Sequence, residues 1–301
     1  MSLITRELNN EEYPVWNKFV DENIDGTIFH KTDWLQLVNP KIRIVAVFLH
    51  DELIAGAALI HSTRNRVSGY HIPPYTQYFS PLYRNSGTRK SLTEEHECIK
   101  LILEATGKEN HIDFKLPRGH QSILPYHWKG FESTVRITHI ITGSLEDYLQ
   151  NLNKNKVREL KKLIGQAESG EIVIGDEITE DELKLLFKQT SERKGFDAQD
   201  TVAINLVMNA DRSYAKKVVI RSREHGLLAF GFFPFDSKAV YNLINVSVRV
   251  TDPVLKTVNL LLLYQAIEFA LKNNKVFDFE GSMLPGVEAF CRLMGGIQAP
   301  T

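Results

Sequence analysis

The sequence predicts an α+β chain of two domains in tandem. Three observations carry that prediction. A length of 301 residues fits one large domain or two of about 150. Helical and strand-like hydrophobic periods alternate throughout. The order of helices, hairpin strands, helix and strand in the first half recurs in the second. The recurrence is architectural, since the halves share no evident sequence identity.

Residues Glu12 to Glu22 read as a first helix, with Val15, Trp16 and Phe19 at helical spacing. Thr32 or Asp33 caps a second helix through Trp34, Leu35 and Val38, stopped at Asn39-Pro40. Ile42 to Leu49 and Leu53 to His61 are apolar strand-like runs, and His50-Asp51-Glu52 suits a tight hairpin between them. Thr93 to Thr106 reads as a helix ending at Gly107, Ile112 to Leu116 as a strand, and Phe131 to Ile141 contains another. Thr142 to Asp147 marks the junction, giving domains 1–141 and 142–301.

The second half opens with a basic helix over 151–168, ending near Gly170. Glu171 to Ile174 is a strand, Asp181 to Lys194 a helix and Val202 to Ala210 a further helix. Val218 to Arg223 and Leu227 to Pro234 form strands around Glu224-His225-Gly226, and Val240 to Val246 follows as one strand. A helix from Asn259 and a strand at Val276 complete the set.

Composition bounds the function. The chain is 43% hydrophobic and 24% charged, so it can bury sizeable cores. Net charge is −1, with 16 basic and 16 acidic residues in 1–140 against 20 and 21 in 141–301. Neither half has the global basicity of a dedicated nucleic-acid binder, and any tRNA or phosphate contact has to be local. Cys98 and Cys291 are far apart with no CxxC, which reads as reduced thiols in a cytoplasmic protein. The N-terminus lacks a signal-type apolar core, and the run around Leu260 to Leu263 is too short and too polar to span a bilayer. The histidines form no HxxH or HExxH spacing, so no metal site is expected.

The most informative stretch is Asp278-Phe279-Glu280-Gly281-Ser282, followed by Phe290-Cys291-Arg292-Leu293-Met294-Gly295. Alternation with Phe279 puts both acids on one strand face, and Gly281 permits a sharp turn. Upstream stand Tyr241-Asn242-Leu243-Ile244-Asn245, a loop with Asp252-Pro253, and the run Leu260 to Ala270 opened by Asn259. Before them come Asn153-Lys154-Asn155-Lys156-Val157-Arg158 and the Arg193-x-Gly195 segment. This order and spacing resemble the C-terminal half of FemAB-like and related GNAT-type acyltransferases. The resemblance covers about 150–296 well. It covers 1–140 more loosely, through Gly26-Thr27-Ile28-Phe29-His30 with Trp34 and through Pro73-Pro74-Tyr75-Thr76-Gln77. It implies two tandem GNAT-like domains, each a mostly antiparallel sheet flanked by helices, with the site in the C-terminal domain facing the cleft.

The implied reaction transfers an acyl or aminoacyl group, from acyl-CoA or aminoacyl-tRNA, to an amine on a small molecule or cell-wall precursor. In that reading Asp278 or Glu280 orients or deprotonates the amine, Tyr241 donates a proton and Arg292 offsets charge on the carbonyl oxygen. Tyr241 and Asn245, four apart on a strand, share a face; the other reading is a hydrogen-bonded network at a strand end. Lys154 and Arg158, with Lys161 and Lys162, form either a phosphate-binding row or a solvated helix face. Arg193 either grips a carboxylate or phosphate or closes a helix near a glycine cap. Asn259 reads as a helix N-cap, where a pyrophosphate would sit, and Ser282 as a further substrate contact.

Two departures stand against the pattern. The loop 250–258 lacks the glycines of a GNAT pyrophosphate loop, so acetyl-CoA is expected to bind weakly or not at all. FemAB-like enzymes commonly place a lysine after the Phe of the last motif, where this chain has Cys291. The alternative from another class is a degenerate, non-catalytic binding protein of the same fold.

Overall fold

The structure is a computed structural model that describes residues 3–84, 89–109, 111–120, 123–194, 201–248, 255–281 and 283–301. It divides into two compact units, Met1–Val135 with Pro300–Thr301, and Arg136–Ala299. The division falls before the expected junction, because the strand Ile137–Ile141 pairs with Val276–Asp278 and so belongs to the second unit.

The first unit holds a four-stranded antiparallel sheet in the order β1 (Leu3–Glu7), β2 (Arg43–Leu49), β3 (Glu52–Leu59), β6 (Leu82–Tyr83). His50 and Asp51 turn β2 into β3 with φ of 49° and 66°, the double left-handed conformation whose twist matches paired strands. A second hairpin, β4 (His61–Arg64) and β5 (Val67–Tyr70), turns the same way at Asn65 and Arg66, with φ of 50° and 67°. The expected strand 112–116 is reduced to isolated bridges, Tyr70 with Ile112 and Phe79 with Lys115. Helix α3 (Arg89–Ala105) packs Cys98 and Ile102 onto the sheet, and α4 (Leu124–Trp128) adds Tyr126 against Ile99 and Leu103. Helices α1 (Tyr13–Glu22) and α2 (Thr32–Val38) bury Trp16 and Trp34 completely. The two loosely matching segments meet here: Trp34 Nε1 donates to Thr76 Oγ1 at 3.4 Å, and the Phe29 ring lies edge-on to Trp34.

The second unit has two sheets. One is antiparallel in the order β12 (Ile244–Ser247), β10 (Gly226–Pro234), β9 (Ala215–Ser222), β8 (Ile172–Gly175). The other runs β11 (Ala239–Tyr241), β13 (Val276–Asp278), β7 (Ile137–Ile141), β14 (Ile297–Pro300), with β11 and β13 parallel. Helix α9 (Val258–Lys272) is apolar on nearly every side, and Leu260 to Leu263 are all buried in the core, as a helix covered by neighbours all round requires. Helices α5 (Leu145–Asn151), α6 (Lys154–Glu168) and α10 (Pro285–Leu293) contribute Tyr148, Leu160 with Leu163, and Cys291 to that core. Helices α7 (Glu180–Lys194) and α8 (Thr201–Asn209) complete the unit. The expected single helix 151–168 begins instead at Lys154, where Asn153 accepts the Asn155 N–H at 2.9 Å.

The expected strand 240–246 breaks at Asn242–Leu243. The Asn242 N–H donates to the Asp278 carbonyl at 2.9 Å, and the chain then passes from one sheet to the other. The fold class is as the pattern of elements predicts: α+β, with mostly antiparallel sheets flanked by helices.

Candidate functional site

Strand β13 ends at Asp278, which is completely buried. Its Oδ1 accepts the Thr138 hydroxyl at 2.6 Å and the Glu280 backbone N–H at 2.8 Å. The first bond ties β13 to β7. The second shapes the turn, in which Glu280 and Gly281 take φ of 61° and 69°. A Cβ on Gly281 would meet the Ile137 carbonyl oxygen at 2.4 Å, so only glycine fits. Glu280 has no such exemption. Left-handed backbone costs a non-glycine residue about 1–2 kcal/mol, and strain of that kind concentrates at functional positions. Its side chain is half-buried.

The turn changes the expected geometry of the two acids. Alternation along a strand would have pointed them the same way, but the strand stops at Asp278. Asp278 is therefore an internal brace, and Glu280 stands beyond the sheet.

Tyr241 lies beside Asp278 across the parallel β11–β13 pair. Its hydroxyl donates to Asp236 Oδ2 at 2.8 Å, and Asp236 Oδ1 accepts the Lys238 and Ala239 N–H groups. Asn245 does not share Tyr241's face. It sits on β12 opposite Gly231, in the other sheet. Asn259 is inside α9 rather than at its cap, because a 3-10 turn at Leu255–Thr257 starts the helix earlier. Its Nδ2 donates to Ser247 Oγ at 3.1 Å, fastening α9 to β12.

Alternation along β7 puts His139 on the face opposite Thr138 and Asp278. Helix α10 covers that opposite face. The Gly296 backbone packs on His139, whose Nε2 lies 3.6 Å from Glu288 Oε1. His139 is fully buried, and neither ring nitrogen has a hydrogen-bond partner among the described residues. Arg292 pairs with Glu288 at 3.2 Å on the exposed side of α10. It is thus brought to the His139 side of the sheet and does not join Asp278. The Arg292 bond holds the Glu288 carboxyl below the usual range. Burial pushes the Cys291 thiol up to about 11, with Glu288 adding to the effect, which leaves no thiolate nucleophile near neutrality.

Lys154, Arg158, Lys161 and Lys162 are all exposed on α6. None of the four forms an ion pair among the described residues. The opposite stripe of the helix, Leu160 and Leu163, is buried. Ser282, the loop 250–254 and the side chain of Arg193 lie outside the described residues. Two surface grooves, one along Thr142–Leu145 and Leu271–Val276, the other among Asp176, Glu182, Arg212 and Lys217, contain none of Tyr241, Asp278 or Glu280.

The sequence reading missed Thr138 and His139. The signal available was their polarity within the apolar run Ile137 to Ile141. Their partners are distant in the chain, so spacing could not supply them.

Neither a family model nor a curated protein sequence matches this chain. Solved structures do. FemX is similar with a TM-score of 0.73 at 14% identity, over 98% of this chain and 95% of FemX. A tandem GNAT protein from the clavulanic acid biosynthesis pathway is similar with a TM-score of 0.53 at 11% identity, over 100% of this chain and 98% of that one. This chain has a tandem GNAT-like fold. L-PGS from Bacillus licheniformis is similar over 98% of this chain and 91% of its own, with a TM-score of 0.54 at 13% identity. Identities this low speak for the fold, and the FemAB-like and GNAT-type architecture is present across both units. Among the described residues no helix is long and apolar enough to cross a membrane.

Proposed function

We propose that the chain transfers an acyl or aminoacyl group to a primary amine, with the reaction centred on the turn after β13. The observation that supports this reading is Glu280, an acid held in left-handed backbone by a buried Asp278 whose Oδ1 accepts its N–H, in a fold similar to that of FemX. Asp278 positions the turn. Glu280 orients the amine and takes its proton. The amine nitrogen attacks the carbonyl carbon, the N–C bond forms, and the C–O or C–S bond to the carrier breaks. The carrier leaves with a proton. Tyr241 can supply that proton only after giving up Asp236, and Ser282, two residues beyond Glu280 in the chain, is a further contact for the acceptor. The unpaired basic row on α6 favours a donor with phosphates, either acyl-CoA or aminoacyl-tRNA. The acceptor is an amine on a small molecule or a cell-wall precursor, and the reaction is placed in the cytoplasm.

A second reading is a non-catalytic binding protein of the same fold. It is favoured by the Tyr241 hydroxyl being engaged with Asp236 and by the buried Cys291 where FemAB-like enzymes carry lysine.

Thermal stability is to be measured against a panel of acyl-CoAs, aminoacyl-tRNAs, nucleotides and cell-wall precursors, followed by turnover with the stabilising pair. Product formation by the wild type, reduced about 10²–10⁴-fold in Glu280→Gln with unchanged melting temperature, supports catalysis. Stabilisation without product supports the binding reading. Turnover unaffected by Glu280→Gln removes the turn from the mechanism.

A further inference from the structure

Two segments of the first unit, 69–72 and 111–113, run side by side although about forty residues separate them. The Tyr70 N–H donates to the His111 carbonyl at 2.9 Å, and the Asp113 N–H donates to the Tyr70 carbonyl at 3.0 Å. Gly69 permits the approach, since a Cβ there would meet the His111 carbonyl oxygen at 2.1 Å. His111 and Asp113 are two apart and project to one side, and His71 meets them there. One ring nitrogen of each histidine and a carboxylate oxygen of Asp113 all lie within 4.8 Å of one another. His111 Nε2 is 3.6 Å from Asp113 Oδ2, and the two imidazoles stack with centroids 4.6 Å apart.

The surrounding contacts orient these groups. His71 is buried, and its Nε2 is 3.1 Å from the Val67 carbonyl oxygen. Donation to that carbonyl puts the proton on Nε2 and the lone pair on Nδ1, the arrangement by which ligating histidines are usually held. Asp113 Oδ1 accepts the Ile72 N–H at 2.6 Å, which fixes the carboxylate and leaves Oδ2 turned to His111. The His111 side chain is 43% exposed and has room to rotate about its torsions to complete a site.

We propose that His71, His111 and Asp113 bind a divalent transition-metal ion of the zinc class. Two imidazoles and one carboxylate suit such ions, and three protein ligands leave a further position for water or an added ligand. The spacing argument against a metal considered only neighbours in sequence. Here the donors come from two paired segments, so no HxxH pattern is required. The bound ion clips 67–72 to 111–113, next to Tyr70, Ile112 and Phe114 of the first unit's core, and so stabilises that unit. This site is independent of the acyl-transfer reading.

The test uses the tag-free, full-length protein titrated with Co²⁺ and followed by visible absorption, then displaced with Zn²⁺, with the melting temperature recorded in parallel. The proposal expects one ion per chain, displacement by Zn²⁺ and a zinc-dependent rise in melting temperature. His111→Ala and Asp113→Asn weaken binding by at least about tenfold. Asp113→Asn keeps an oxygen for the Ile72 N–H, and the His111 side chain is partly exposed, so both variants are expected to fold. His61→Ala, which removes a nearby histidine paired with Glu109 at 3.3 Å, leaves binding unchanged. The proposal is overturned if the wild type shows no saturable one-to-one binding, if binding survives both ligand substitutions, or if His61→Ala abolishes it.

Discussion

On the Asp278 face of the β11–β13–β7–β14 sheet, buried polar groups are tied to one another: Asp278 to Thr138 and to the Glu280 backbone, Tyr241 to Asp236. On the opposite face His139 is buried with neither ring nitrogen bonded, beside a protonated Cys291. An unpaired polar group in low dielectric is costly, whereas a fully paired one specifies geometry. The Asp278 face is therefore built to hold the Glu280 turn in one conformation. The His139 face is built mainly from apolar packing by α10 and α9, with the charged pair Glu288–Arg292 kept at its rim.

Removing the brace tests that contrast most severely. Asp278→Ala leaves the Thr138 hydroxyl and the Glu280 N–H without their acceptor, each buried or half-buried. At about 1–3 kcal/mol for each of the two orphaned groups, the loss of stability is expected to be about 2–6 kcal/mol. Urea unfolding at unchanged slope is the measurement. A loss below about 1 kcal/mol means that Asp278 is not bracing the turn.

The next effect is seen with pH. The Cys291 thiol has an ordinary value near 9 and is raised to about 11 in the folded chain. Its folded value is the higher one, so its contribution to stability is complete below pH 9 and is lost as pH rises through 11. Alkylation of Cys291 by iodoacetamide is expected to be slow at pH 8 and to accelerate only as the pH approaches 11. Rapid labelling at pH 8 would instead mark an accessible thiolate and reopen Cys291 as a nucleophile.

Glu280→Gly refines the comparison at smaller amplitude. Glycine accepts φ of 61° without strain, so stability should hold or rise by about 1 kcal/mol, while transfer activity falls. A matched fall in stability would show that the Glu280 side chain supports the fold rather than the chemistry.

The difference between the two faces also marks where sequence reading stops. Local signals were sufficient for the hairpin at His50–Asp51, for the apolar α9 and for the turn at Gly281, because each depends on residues adjacent in the chain. The break of 240–246 was not legible. Its polar residues are interleaved in an apolar run that reads as one strand, and the break is made by a bond from Asn242 to Asp278, far along the sequence. Thr138 escaped notice for the same reason, since its partner Asp278 is 140 residues away. Which face of the sheet helix α10 covers is decided only by its packing against β7. The His71, His111 and Asp113 cluster is the same case in the first unit.

His139→Leu probes the apolar face directly. The histidine's ring nitrogens make no hydrogen bond that would be lost, so an apolar side chain of similar size is expected to change stability by less than about 1 kcal/mol, with either sign. A loss of more than about 3 kcal/mol would show that His139 and Glu288, 3.6 Å apart, act as a buried ion pair, and the two faces would then be alike.

The smallest expected effect belongs to Arg292, and it decides the most about mechanism. The family resemblance implied a role for Arg292 beside the acids, offsetting charge on a carbonyl oxygen. Removing one such charge-stabilising donor from a reaction centre typically costs about 10²–10³-fold in kcat. In the structure the side chain is 64% exposed and engages Glu288 one helical turn away, on the far side of the sheet from Asp278. Exposed pairs of this kind contribute little to stability. Arg292→Ala should therefore leave both the melting temperature and kcat close to wild type, while Glu280→Gln does not. If Arg292→Ala instead lowers kcat by two orders of magnitude with unchanged stability, the substrate is reached from the α10 side, and the reaction centre has to be moved across the sheet to His139, Glu288 and Arg292.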